Sequence, residues 1–198
     1  QEALAHFKPY FAEKYADVYH GVADLYVYFS QQGMHLLRPG GRMAYIVTNK
    51  WLRAGYGEGL RSYFATHAAI EQIIDFGHAP IFPEADVFPC ILVLNRPDTA
   101  SVPPEQQVQI TEFPREELGQ TPLPHYVAEH SHSIPQQRFS GTAWSLETSE
   151  GDDLLAKIRA KGVPLKDFLE ATSYRGIITG LNDAFLIDRS TKIGRASC

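Results

Sequence analysis

The stretch ADLYVYFSQQGMHLLRPGGRMAYIVTNKW, residues 23–51, decides the fold. It reads as a helix, a Pro-Gly-Gly turn, a buried strand and a polar loop at the strand's far end. Apolar positions at Val22, Leu25, Tyr26, Phe29, Gly33, Leu36 and Leu37 follow the spacing of one face of an amphipathic helix. Asp24 falls in the first turn, where a carboxylate favours the helix dipole. Pro39 cannot continue the helix, and Gly40 and Gly41 permit the positive φ angles of a tight reversal. The run MAYIV, residues 43–47, is short, apolar and β-rich, as expected of a strand covered on both faces. Thr48, Asn49 and Lys50 follow at its carboxyl end, the end at which open α/β sheets bind ligands.

Working outward, residues 1–21 are polar and aromatic and read as a partly helical surface segment or a loop over a site. Residues 60–67 form a short helix with Leu60, Tyr63 and Phe64 on one face. IEQIIDF (70–76) and CILVL (90–94) are further buried strands, separated by a loop, 78–89, whose Pro80 and Pro83 argue against regular structure. QVQITEF (107–113) alternates and reads as a half-exposed strand. Residues 115–142 hold Pro122, Pro124, Pro135, His125, His130 and His132 and read as a solvated loop, the best place for an interdomain linker. A helix over 152–161 follows, stopped by Gly162, then a short helical turn at 165–169. Two short strands, 176–179 and 184–187, close the pattern around a hairpin-like Gly-Leu-Asn-Asp.

The chain has 198 residues, enough for one moderate core or one domain and part of another. Its 44% apolar and 21% charged residues are those of a folded globular protein. The net charge of −5 advertises no global field for nucleic acid, although a local groove can be basic on an acidic protein. Two cysteines, Cys90 and Cys198, give no disulfide framework and point to a reducing cytoplasm. No apolar run approaches a membrane span, and no signal peptide is visible. Gln1 is not an initiator residue, so the sequence reads as cut from a longer one, and residues 193–198 read as a frayed or vector-derived end.

Self-contained catalytic sets are missing from the sequence. It has no nucleophile elbow, no phosphate loop, no GxGxxG and no HExxH. The acidic pairs Glu116-Glu117 and Asp152-Asp153 read as solvated charge, and the histidines do not have metal-ligand spacing.

The order of elements carries more. A helix leading through Leu-Leu-x-Pro-Gly-Gly-x into a buried strand, then helix, strand, aromatic-Pro loop and buried strand, resembles the second half of the class I S-adenosylmethionine-dependent methyltransferase fold. Asp24-Leu25-Tyr26-x-x-Phe29, the run 43–52, the stretch from Phe82-Pro83 to Arg96, and the run 174–187 resemble, in that order, segments of adenine-specific DNA methyltransferases of the amino-methylating group, notably the fused type IIG restriction–modification enzymes. The resemblance covers residues 17–96 and 165–188. It implies an α/β chain with a partial Rossmann-like methyltransferase fold, namely the carboxyl-terminal half of the catalytic domain at 1–114, a linker at 115–150, and the start of an α+β target-recognition domain at 151–198. The family's glycine-rich cofactor loop and its Asn-Pro-Pro-Tyr motif are absent. Catalytic residues are therefore expected upstream of Gln1, and the chain alone is expected to be inactive.

The resemblance implies roles for residues that are present. Phe82 is the first candidate for stacking on a flipped target base and Phe88 the second, against packing under the loop. Asp24, Leu25 and Phe29 would lie at the adenine end of S-adenosylmethionine, against an ordinary helix start and core face. Lys50 and Arg53 would meet DNA phosphates, Trp51 would pack beneath the pocket, and Arg175, Thr179 and Asn182 would contact double-stranded DNA. No metal and no membrane partner is implied, and an exposed sheet edge offers a route to self-association. A DNA-binding specificity module without catalysis, and a methyltransferase acting on a protein or small molecule, stand as competing readings.

Overall fold

The computed structural model describes residues 2–82, 84–85, 87–99, 101–163 and 167–168. Residues 1–154 form one compact unit and residues 155–198 another. The described elements are α1 (Lys8–Lys14), α2 (Leu25–Leu36), β1 (Arg42–Thr48), α3 (Glu58–His67), β2 (Ala69–Asp75), β3 (Pro89–Asn95), β4 (Gln107–Glu112), α4 (Leu123–His130), β5 (His132–Pro135) and α5 (Ser149–Lys161). The closing turn and hairpin expected at 165–187 lie outside the described residues, apart from positions 167–168.

The strands form one sheet in the order β1-β3-β2-β4-β5. β3 runs antiparallel to both β1 and β2, so Leu92 stands between Tyr45 and Ile73. β4 lies parallel to β2, with Ile110 beside Ile73, and β5 pairs antiparallel with β4. The resulting apolar rows explain the strand assignments read from the runs 70–76, 90–94 and 107–113. On one face Ile70, Ile73, Leu92, Leu94 and Ile110 pack with α2 and α3. On the other, Ile74, Phe76 and Phe113 pack with Leu123, Tyr126 and Val127 of α4.

Two expectations about the opening stretch are corrected. β1 is not covered on both faces, because Ala44 is exposed and Ile46 is 45% exposed. β1 is an edge strand, and α4 lies over the β4 side of the sheet, leaving the outer face of β1 open among the described residues. The buried face of α2 is also not the one its apolar spacing suggested. Val27, Tyr28, Ser30, Gln31 and Met34 are buried, whereas Val22, Phe29 and Leu36 are exposed. Five consecutive apolar residues, 25–29, blur the period, and polar groups are buried through bonds the sequence does not display. Gln31 Nε2 donates to Asp17 Oδ2 at 2.8 Å, and Ser30 Oγ donates to the Tyr26 carbonyl at 2.7 Å.

The turn between α2 and β1 behaves as its composition requires, with one change. Gly40 takes φ +70°, but Gly41 does not take a positive φ. Its role is close approach, since a Cβ there would lie 2.8 Å from the Arg38 carbonyl.

Residues 115–150 are not a solvated linker. They supply α4 and β5, and Ile134, Phe139, Trp144 and Leu146 are buried in the main core. Trp144 packs edge-on against Trp51 at 5.1 Å and stacks on Phe139 at 4.5 Å. Gln136 ties this segment to β2, accepting from Ile70 N at 2.8 Å and donating to the Ala68 carbonyl at 2.7 Å. Prolines and histidines gave this stretch a polar signature, but its few large apolar residues find distant partners. Residues 2–21 are partly helical, and they also enter the core through Tyr15 and Val18. A Trp144→Ala variant should lose about 3–5 kcal/mol of unfolding free energy in urea titration. An unchanged midpoint would mean that the segment is a detachable linker.

A candidate site at the carboxyl end of the sheet

The loop after β1 is built to stay in place. Thr48 Oγ1 accepts from Lys50 N and caps a 3₁₀ turn at Asn49–Leu52. Trp51, with 0% exposure, anchors that turn between Phe64 and Trp144. Trp51 therefore packs in the core beneath the loop that follows β1. The buried Arg61 of α3 then binds three carbonyls, donating from Nη1 to Trp51 and Ala54 and from Nε to Gly141 at 3.0 Å. Every donor of a buried guanidinium wants an acceptor, so Arg61 fixes the loop rather than serving a ligand. Trp144 N closes the arrangement by donating to the Leu52 carbonyl at 2.8 Å.

Because β3 is antiparallel between β1 and β2, its start meets their carboxyl ends. Asn49 N donates to the Phe88 carbonyl at 2.6 Å, and Phe76 N donates to the Pro89 carbonyl at 3.1 Å. Asn49 Nδ2 donates to Asp75 Oδ1 at 2.8 Å, and the same oxygen accepts from Gly77 N at 2.9 Å. A cleft of about 320 Å³ opens here, walled by Asn49, Lys50, Arg53, Asp75, Phe88 and Glu112. A second cavity of about 350 Å³ shares Asp75, Gly77 and Glu112 and continues under Phe113 and Arg115. Ligand-sized space thus lies at the sheet end where open α/β folds bind ligands.

The site mixes charges. Burial raises the Glu112 carboxyl above its usual range, the carboxylates of Glu147 and Asp75 add to the rise, and His132 and Arg53 partly offset it. Cys90, on the neighbouring strand, is no nucleophile, because burial pushes its thiol up to about 12. The amino-terminal turn of α2 reaches the same end of the sheet through a hydrogen bond of 2.9 Å between the Tyr26 and Tyr56 hydroxyls. Burial, followed by that bond, raises Tyr26 so far that it stays protonated.

Lys50, Arg53 and Phe88 share the cleft. Phe88 is less available for stacking than the sequence suggested. His78 lies face-on to its ring at 4.5 Å, and Lys50 Nζ sits 5.7 Å from the ring centroid. Phe82 is 44% exposed, and no ring contact engages it among the described residues. Asp24 is the N-cap of α2, its Oδ1 accepting from Leu25 N at 2.8 Å. Leu25 lines a cavity of only about 20 Å³ with Lys8, Phe11 and Tyr28. Phe29 is 55% exposed and faces no core. Arg175, Thr179 and Asn182 lie outside the described residues. Asp75 and Glu112 were not singled out from sequence, although each is an acid ending an apolar strand at the ligand side. Among the described residues no cluster of three or more His, Cys, Asp or Glu side chains is placed to hold a metal ion, and no helix is long and apolar enough to cross a membrane.

Glu112 gives a signed prediction. Its folded-state carboxyl is harder to ionise than in the unfolded chain, so the native state loses stability as pH rises through and above the ordinary value of 4.5. Glu112→Gln should therefore raise the urea midpoint at pH 7, with the gain disappearing below about pH 4. A gain confined to acid pH would contradict this reading of the cleft.

Part of the chain has recognisable relatives. Residues 1–82, which include α2, β1, α3, β2 and the cleft residues Asn49, Lys50, Arg53 and Asp75, match the Eco57I restriction-modification methylase family. The chain is 31% identical over 80 residues to type II methyltransferase M.XhoI of Xanthomonas vasicola, covering 40% of this chain and 15% of that protein. It is 23% identical over 171 residues to type II methyltransferase M.PaeR7I of Pseudomonas aeruginosa, covering 84% of this chain and 29% of that one. The chain thus spans less than a third of the length of these relatives. The crystal structure of the type IIG restriction endonuclease BpuSI aligns with 73% of this chain and 18% of its own at 15% identity, with a TM-score of 0.45. The sequence matches relate the chain, most directly through residues 1–82, to the methyltransferases of type II restriction–modification systems.

Proposed function

We propose that this chain is the carboxyl-side part of the catalytic domain of a site-specific DNA adenine methyltransferase from a restriction–modification system, with the start of a target-recognition domain after it. The observation that carries the reading is the match of residues 1–82 to a restriction-modification methylase family over the same elements that wall the cleft. In the complete protein, duplex DNA is the partner and the amino group of an adenine turned out of the helix is the acceptor. A nuclease fused to the same protein fits the type IIG arrangement. Work on DNA also fits a cytoplasmic protein.

S-adenosylmethionine, when bound, supplies the methyl group. Asp24, Leu25 and Phe29 are the residues we assign to one wall for it: Asp24 caps α2, Leu25 begins it, and Phe29 offers an exposed apolar ring, while none of the three lines the cleft at Asn49 and Asp75. The chain's own contribution is to hold the acceptor still, and positioning of that kind can supply several kcal/mol of a barrier. An extrahelical base needs an aromatic face to replace its lost stacking, worth about 1–3 kcal/mol. Phe82 offers one, whereas Phe88 already carries His78 and Lys50. Lys50 and Arg53, exposed at the cleft rim, are placed for phosphates. The open edge of β1 is where the rest of the catalytic sheet would pair, and in the isolated chain it gives copies a route to associate.

The test is methylation of duplex DNA by the complete protein containing this sequence, with labelled S-adenosylmethionine and mass analysis of the product nucleosides. N6-methyladenine is the expected product, and Phe82→Ala should slow its formation by about 5–150-fold. Label on cytosine or on protein would overturn the reading. Lys50→Ala and Arg53→Ala should each reduce the salt slope of DNA binding by about one.

A further inference from the structure

We infer that Asn49 and Asp75 form a latch that fixes both feet of the aromatic loop 77–88 to the carboxyl ends of β1 and β2, making them positioning residues for capture of the target base. The proposal rests on the function given above for its consequence, but the latch itself is visible without it.

The loop leaves β2 at Gly77 and enters β3 at Phe88. At the first foot, Gly77 takes φ +52° and its N–H donates to Asp75 Oδ1 at 2.9 Å. At the second, the Phe88 carbonyl accepts from the backbone N–H of Asn49 at 2.6 Å. The Asn49 side chain joins the two feet, because Nδ2 donates to that same Asp75 oxygen at 2.8 Å. One asparagine thus holds the return foot with its backbone and the departing foot with its side chain. The loop between them carries the exposed ring of Phe82. Phe88, next to the second foot, carries His78 on its face and Lys50 over its ring. Release of the latch would therefore displace the stacking ring and the rim cation together. The backbone bond to Phe88 continues the β1–β3 ladder; what that ladder does not require is the Asn49 side chain reaching the Asp75 oxygen that also holds Gly77.

The chemistry offers a swap. Asn49→Asp sets two carboxylates against each other at hydrogen-bonding distance. When Asn49→Asp is combined with Asp75→Asn, the amide now on β2 donates to the carboxylate now on the loop after β1, while the amide oxygen still accepts from Gly77 N. Hydrogen exchange of the 198-residue chain reads the latch directly. Amides of residues 77–88 should exchange about tenfold faster or more in N49D and return towards wild type in the swap, with β2 and β4 unchanged. If N49D fails to unfold cooperatively, Asn49→Ala, which removes the bond without adding charge, takes its place with the same expected loop exchange. Unchanged exchange at 77–88, or a swap as fast as N49D, overturns the latch. In the complete protein, N49D should raise KM for duplex DNA and lower kcat by about tenfold or more while the Kd for S-adenosylmethionine stays the same, and the swap should recover most of the loss. Faster loop exchange with unaltered methylation kinetics overturns the positioning role. Faster loop exchange in a complete protein whose wild type methylates no DNA leaves the latch standing and removes the proposed function instead.

Discussion

Everything at the ligand end of this molecule depends on β3 running antiparallel between β1 and β2. A strand inserted in that direction must begin where its neighbours end. Its first residues therefore sit beside Asn49 and Asp75, and the connection from β2 has to leave and return at the same rim. A parallel strand would have carried that loop to the opposite end of the sheet. The backbone pairing of Asn49 with Phe88, and of Phe76 with Pro89, is this constraint expressed as hydrogen bonds.

The rim is then stiffened from below. Trp51 is packed between Phe64 and Trp144, and Arg61 spends its donors on carbonyls of the loop after β1 and on Gly141. A buried charge held by three carbonyl acceptors stiffens what it touches, and removing one of its partners is costly. Residues 139–146 thus belong to the site's foundation although they are remote from it in sequence. The carboxylates of Asp75 and Glu112 line the same space. The cations Lys50 and Arg53 stand at its edge, a distribution suited to a ligand that brings phosphates to the rim and a neutral ring to the interior.

Much of this was legible in the sequence. The presence of α2, the Pro-Gly-Gly turn, and the strands over 70–76, 90–94 and 107–113 followed from period, turn chemistry and short apolar runs, although Asp24 proves to be the N-cap of α2 and not part of its first turn. Lys50, Arg53 and Phe88 are readable from the sequence as loop cations and a loop aromatic, but their convergence on one cleft is not. What was not legible rests on contacts distant in sequence. The face of α2 was misassigned because burial of Gln31 depends on Asp17, and because Phe29 and Leu36 are left exposed. The segment 115–150 looked solvated because its prolines and histidines outnumber its large apolar residues, yet Trp144 is fixed by Trp51 and Phe139. Asp75 passed unnoticed because a single acid after an apolar strand has no signature until Asn49 is brought within 2.8 Å of it.

The central claim is that this rim receives a base turned out of DNA. A structure of the complete protein with an S-adenosylmethionine analogue and its cognate duplex tests it most directly. The account predicts an extrahelical adenine stacked on Phe82, with ring centroids about 4.5–7 Å apart, and DNA phosphates beside Lys50 and Arg53. A target base held elsewhere, with Phe82 facing solvent and the cleft at Asn49 and Asp75 turned away from the DNA, would contradict it.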